Sequence, residues 1–239
     1  MKVKFIIDKE YDTKMIWKML SKKDPADIEN RAKRMGIPIE KAKEFQNKKW
    51  EEIKHLAVQL AELRYSKLLP FMKKSAELYQ KSWNEINDEF SNIIEEKTNC
   101  EWKYDEYLVV VSAFHPGISS RKGNKVCKIW DENPYTQRRI TAHEILMTHI
   151  WNILDTKFKH SLSELKAWAL NEVTTTAILS LEPELTKFWP WCPPYENYLT
   201  NYPQIWELRD KLKPLWVERK SFKDYMKNAI KITHEYTLT

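Results

Sequence analysis

Apolar positions recur with helical spacing over most of the chain. Ile53, Leu56, Leu60 and Leu63 share one face of a stretch covering residues 39–68, with Phe45 ahead of them and opposite charges three and four residues apart on the remaining surface. Beyond Pro70, the residues Leu78, Trp83, Ile86, Phe90 and Ile93 carry the same period to about Lys97. With a proline between them, the two stretches predict an antiparallel helical hairpin. Residues 12–20 predict a short helix, and Asp24-Pro25 a helix start with Gly36 as its stop.

The period then changes. Residues 107–114 (YLVVVSAF) are β-branched and aromatic, and residues 125–130 (KVCKIW) alternate, so both predict strands; residues 2–7 alternate weakly and predict a third. His115-Pro116-Gly117 ends the first of these runs, residues 119–124 read as a loop, and Asn133-Pro134 as a turn. Helical spacing returns over residues 137–157. A second helix opens at His160-Ser161, with Ser161 as N-cap and Glu164 completing a capping box, and it stops at Pro183. A rigid Pro- and Trp-rich loop follows (residues 189–195), then two closing helices over residues 203–217 and 221–235. The expected fold is α+β and predominantly helical, with an N-terminal helical region (1–100) and a core carrying a small sheet (101–239) in one compact unit.

Composition supports this picture. Three glycines and eleven prolines in 239 residues favour long helices with short connections over a many-turned sandwich. The net charge of +6 arises from 40 basic residues interleaved with 34 acidic ones, which suits solvated helix faces and argues against a nucleic-acid stripe. Cys100, Cys127 and Cys192 are odd in number and widely spaced, so neither a disulfide framework nor a zinc ribbon is indicated. No window approaches a membrane span and no secretory leader is evident, so a cytoplasmic location is expected. The tryptophans at helical spacing (Trp50, Trp83, Trp151, Trp168) read as core anchors.

The candidate chemistry lies on the two helices between residues 137 and 182. Ile140, Met147 and Trp151 stand four, three and seven residues from Glu144, so Glu144 falls on an apolar stripe. Glu172 does likewise, among Leu165, Trp168, Ala169, Thr176 and Leu179. A buried carboxylate is costly unless paired, protonated or metal-bound. Either Glu alone is explained by a structural hydrogen bond or ion pair to Arg138, Arg139 or a core tyrosine; both together, beside His143, point to a shared buried site.

His143-Glu144, followed after a short loop by Asn171-Glu172 in AWALNEVTTTAIL, resembles the gluzincin zinc metallopeptidases, whose type member is thermolysin, and in particular the small, helix-rich minigluzincins. The resemblance covers about residues 103–182. It implies a zincin-like core with an active-site helix pair, zinc held by His143 and Glu172, Glu144 as general base, and a peptide substrate bound along an edge strand, a place that YLVVVSAF or KVCKIW fits. This chain departs from the family's H-E-x-x-H at the second ligand, where Met147 stands. His149 is the replacement candidate, but ~600° of helical rotation, ~240° net, separates it from His143, and a π-bulge would be needed to bring it round. His115 is a candidate substrate-binding residue at the strand end, while His55, His160 and His234 read as solvated. Three functions follow: a zinc peptidase, a non-enzymatic zincin-fold protein that binds a peptide or protein, and, from charge alone, a basic nucleic-acid-binding protein.

Overall fold

The computed structural model describes residues 1–21 and 25–237; Asp24, the expected cap, lies outside them. In chain order the elements are β1 (Lys2–Ile6), α1 (Lys9–Leu20), α2 (Pro25–Met35), α3 (Ile39–Lys43), α4 (Trp50–Asn84), α5 (Asn87–Thr98), β2 (Glu106–Ser112), β3 (Gly117–Ile118), β4 (Lys125–Ile129), α6 (Gln137–Ile153), α7 (Glu164–Leu181), α8 (Pro183–Thr186), α9 (Trp206–Val217) and α10 (Phe222–Glu235). The fold is α+β and predominantly helical, around a four-stranded mixed sheet of order β1-β2-β4-β3. β1, β2 and β4 are parallel and β3 is antiparallel to β4. Since β1 pairs with β2, the N-terminal region and the residues after 100 share one sheet.

β2 lies in the interior of the sheet, and its residues from Val109 to Ser112 are buried on both faces. That explains why it reads as a continuous apolar run rather than an alternating one. Tyr107, Val109 and Val111 enter the larger hydrophobic cluster with Tyr79 and Trp83 of α4 and Ala142, Ile145 and Leu146 of α6. Ala113 and Phe114, just past the strand, enter a second cluster with α1, α2 and the first half of α4.

The hairpin expected at Pro70 is not formed. α4 runs unbroken for 35 residues through Pro70, roughly 50 Å at the α-helical rise. An interior proline removes one backbone hydrogen bond and crowds the preceding turn. Here the ring is exposed, while Ala61, Tyr65 and Met72 are buried in one cluster and Tyr79 and Trp83 in the other. Burial on both sides outweighs the local cost. The chain bends instead at residues 85–86, where Trp83 Nε1 donates to Asn87 Oδ1 (2.9 Å) before α5 begins.

Other boundaries differ from expectation for equally local reasons. Residues 39–68 are not one helix: Asn47 takes a left-handed conformation (φ 57°), and Glu52 caps the new start by accepting from Lys49 N. Leu63 and Leu78, counted on the apolar stripe, are exposed. The cap of α7 lies two residues after the expected one, because Ser163, not Ser161, accepts from the first turn (Lys166 N, 3.4 Å). His160 is not solvated; its side chain is buried and 3.6 Å from Asp155. Among the described residues no helix is long and apolar enough to cross a membrane.

Pro70→Ala tests the continuous helix by its sign. In an unbroken α4 it raises stability by roughly 1–3 kcal/mol in urea titration, after allowing for the looser unfolded chain. A neutral or destabilising result would mean that Pro70 opens a second helix.

Candidate functional site

α6 and α7 pack side by side, locked by Asn171 Nδ2 donating to Met147 O (2.9 Å) and by Thr175 donating to Asn171 Oδ1 (3.1 Å). Residues 169–179 of α7 are buried throughout, so its carboxylate is carried into the interior by packing on every side. This lock brings His143 and Glu172 together: His143 Nε2 lies 3.2 Å from Glu172 Oε2, and Trp168 Nε1 donates to Glu172 Oε1 (3.1 Å). Burial works against the charged form of His143, but Glu172 beside it, helped by Glu144, raises its pKa above the ordinary value.

Glu144 has a different environment. Its carboxylate accepts no hydrogen bond among the described residues. Burial raises its pKa to about 7; His143 and Lys128 favour its charge, while Glu172 opposes it. The carboxyl therefore titrates in the range where an acid or base is useful. Neither Glu is paired with Arg138 or Arg139: Arg138 pairs with Glu85, and Arg139 donates to Ser180 Oγ.

Both carboxyls and His143 open onto a groove of roughly 600 Å³. One wall is the sheet edge, with Gly117, Ile118 and Ser119; the other is the loop of residues 197–202. Gly117 is required for close approach: a Cβ there would stand 2.6 Å from Glu144 Oε1. The edge is neither of the two expected runs. β2 and β4 are interior strands, and the edge is β3, from residues read as the end of a strand and a loop. The groove continues past Met19, Ile118 and Ser119 into a second hollow lined by Lys18, Arg121, Lys122 and Lys125.

His115 lines the groove, as expected of a binding residue. Its Nδ1 accepts from Gly117 N (3.2 Å), and burial, with Arg34 and Lys128 near, lowers its pKa to about 4. It is neutral and it shapes the turn into β3.

His149 is not in the groove. α6 is regular through residue 153, and the single π-helical turn, Leu154–Phe158, comes after His149 and cannot rotate it. The imidazole is fully buried on the far side, its ring 4.4 Å from that of Trp102, with both nitrogens unpartnered. Met147 is buried and does not line the groove.

The separation of His143 Nε2 and Glu172 Oε2 equals that of two donors on one tetrahedral zinc, about 3.3 Å for bonds near 2.0 Å. A third donor does not converge on them: among the described residues no three of His, Cys, Asp and Glu form a metal-holding group. The residues present therefore do not fit a three-ligand catalytic zinc.

Sequence reasoning missed Gly117, Arg139 as a groove residue, and Tyr198. For Arg139 a signal existed, since it stands one turn before His143 on the same helical face; the loop carrying Tyr198 has no periodicity to read. Comparison with protein-family models, curated proteins and solved structures finds no match to this chain.

Two stability measurements test these environments. Burial and the Lys157 charge lower the pKa of His149 to about 4, below its unfolded value near 6.5. The unfolded chain takes that proton first, so stability falls as pH drops from about 6.5 to 4, by up to roughly 3 kcal/mol. In His149→Phe this component disappears, leaving a similar one from His115, so the pH slope of the urea midpoint is expected to fall by about half; an unchanged slope would refute it. For Glu144 the sign reverses: a folded pKa above the unfolded one costs stability as pH rises from about 4.5 to 7. Glu144→Gln is accordingly more stable than the parent at pH 8, by roughly 1–3 kcal/mol, and equal to it near pH 4.

Proposed function

We propose that this protein binds an extended peptide segment in the groove, as a strand added to β3, on a zincin-like scaffold that retains the carboxylates of a peptidase but not its full zinc ligand set. The observation that carries this reading is that the terminal strand of the sheet forms the groove wall directly beside Glu144. An edge strand offers backbone groups at the spacing of a peptide chain, and binding by strand addition requires such an edge along a cleft. β3 is short, which protects the free protein from edge-to-edge aggregation while leaving room for a ligand.

Each side chain has a part. Gly117 keeps the wall low over Glu144. Glu144, with a pKa near neutrality, is able to accept a hydrogen bond from a peptide N–H when charged and to donate one to a peptide carbonyl when protonated. Glu172 orients His143 and compensates its burial, leaving the imidazole to meet a peptide carbonyl. Zinc, when held at such a site in peptidases, polarises the carbonyl and supplies activated water. Here Met147 occupies the position one turn after His143, and a thioether is a poor zinc donor. Peptide binding without hydrolysis is the function that the donor set supports.

Zinc content and peptide binding test the two halves of this reading. Protein purified without chelator is expected to carry well under one equivalent of zinc and to bind fluorescein-labelled casein peptides saturably, with no effect of EDTA. Met147→His restores a donor one turn from His143 and is expected to bring zinc to a full equivalent and to allow casein cleavage. Folded Met147→His protein that takes up no zinc would remove the zincin-like scaffold; unaltered protein that binds no casein peptide would remove the peptide groove.

A further inference from the structure

We propose that Arg139 is a carboxylate-binding residue of the groove, so that the peptide held there presents an acid group, its terminal carboxylate or an Asp or Glu side chain, at the Arg139 end. This rests on the peptide-binding reading above and adds the chemical class of the ligand.

Arg139 is 8 % exposed and lines the groove one helical turn before His143. Among the described residues its one hydrogen bond runs from Nη2 to Ser180 Oγ (3.0 Å), and its Nε is buried without a partner. Its Cζ lies 3.6 Å from the centre of the Tyr198 ring, and the Tyr198 hydroxyl is also buried and unpartnered. Burial lowers the pKa of the guanidinium, and the groups that favour its charge are the Tyr198 phenol and the Cys192 thiol. Among the described residues no carboxylate stands against it. A buried cation with one neutral hydrogen-bond acceptor and an aromatic face is poorly compensated, since ring stacking returns only a few kcal/mol of a larger desolvation cost.

The other buried arginines of this protein do not share that condition. Arg138, its neighbour in α6, pairs with Glu85, and Arg209 pairs with Asp210. Arg138 and Arg209 thus each have a carboxylate, which Arg139 in the groove lacks among the described residues. A guanidinium presents a planar fork matched to a carboxylate, and the missing partner has that chemistry. The groove's remaining charge agrees. Arg34 lines it, and Lys18 and Lys122 line its continuation, none of them in an ion pair among the described residues. Of the two acids on the groove wall, Glu172 is engaged by His143. These unpaired cations favour an acidic ligand.

The test compares acid with amide on the unaltered full-length chain, so it does not depend on any variant folding. N-acetylglycine, a minimal chain end, is expected to raise the melting temperature at matched ionic strength, whereas N-acetylglycinamide leaves it unchanged. A neutral heptapeptide is then measured as free acid, as C-terminal amide, and as amide with one internal Glu. The acid or the Glu-bearing amide is expected to bind about tenfold more tightly than the plain amide, and which of the two does so identifies the carboxylate as terminal or side-chain. In Arg139→Gln the preference falls to about twofold or less, and in Arg139→Lys, which keeps charge without the fork, it is intermediate. Equal binding of acid and amide by the unaltered protein, or a preference that survives in folded Arg139→Gln, would overturn the assignment. Protection by N-acetylglycine that needs Arg139, with no heptapeptide bound, would retain the carboxylate site and discard the peptide groove.

Discussion

The buried carboxylate of Asp12 holds the N-terminal helices to the sheet, and the geometry of the groove depends on it. Asp12 is fully buried and accepts from Ser112 Oγ (2.6 Å), Ala113 N (2.9 Å) and Tyr65 Oη (3.0 Å), so one side chain of α1 joins the end of β2 and the middle of α4. Burial raises its pKa in spite of these three donors. Ser112 Oγ passes the constraint on by accepting from Phe114 N and His115 N, His115 Nδ1 accepts from Gly117 N, and Lys128 Nζ donates to Pro116 O. Every step of the turn leading to β3 is thereby tied. A turn without those ties would have no reason to place Gly117 against Glu144.

On the opposite side of the groove, a second set of ties positions the carboxyls. The Asn171 amide bridges α7 to the backbone of α6 at Met147, and Thr148, on the next residue of α6, accepts from Ser120 N (2.9 Å) just past β3. Helix pair and sheet edge are thus coupled through two adjacent residues of α6. Glu172 is compensated by His143 and Trp168, whereas Glu144 and Arg139, both lining the groove, are left incompletely satisfied among the described residues. Incomplete compensation of buried charge costs stability, and it recurs where a protein meets a ligand that completes it.

Much of the architecture was legible because it is written in periodicity. The helices α6, α7, α9 and α10 and the strands β1, β2 and β4 appear close to where spacing and β-branched content put them. The departures have identifiable origins. Pro70 has a real local cost, but the decision between a kink and a break rests on burial at Tyr65, Met72 and Tyr79, which no local pattern reports. Ser161 and Ser163 are both plausible caps two residues apart, and only the observed entry of the chain into α7 selects Ser163. β3 is two residues long, too short to show a period, yet it forms the edge on which the site depends.

The candidate site divides along the same line. That Glu144 and Glu172 are carboxylates on apolar stripes of neighbouring helices, with His143 beside Glu144, follows from residue spacing alone, because a helix repeats its faces every three to four residues whatever surrounds it. The expectation that His149 is turned away from His143 in a regular helix rests on the same rotation. Whether the backbone would bulge to recover it was a matter of packing; the π-turn formed beyond residue 153, and His149 stacked on Trp102. Tertiary structure alone decided that Gly117 forms the wall, that Tyr198 covers Arg139, and that among the described residues no carboxylate reaches that guanidinium. Those are contacts between segments tens of residues apart, and a one-dimensional pattern records the chemistry of each residue but not which distant residue completes it.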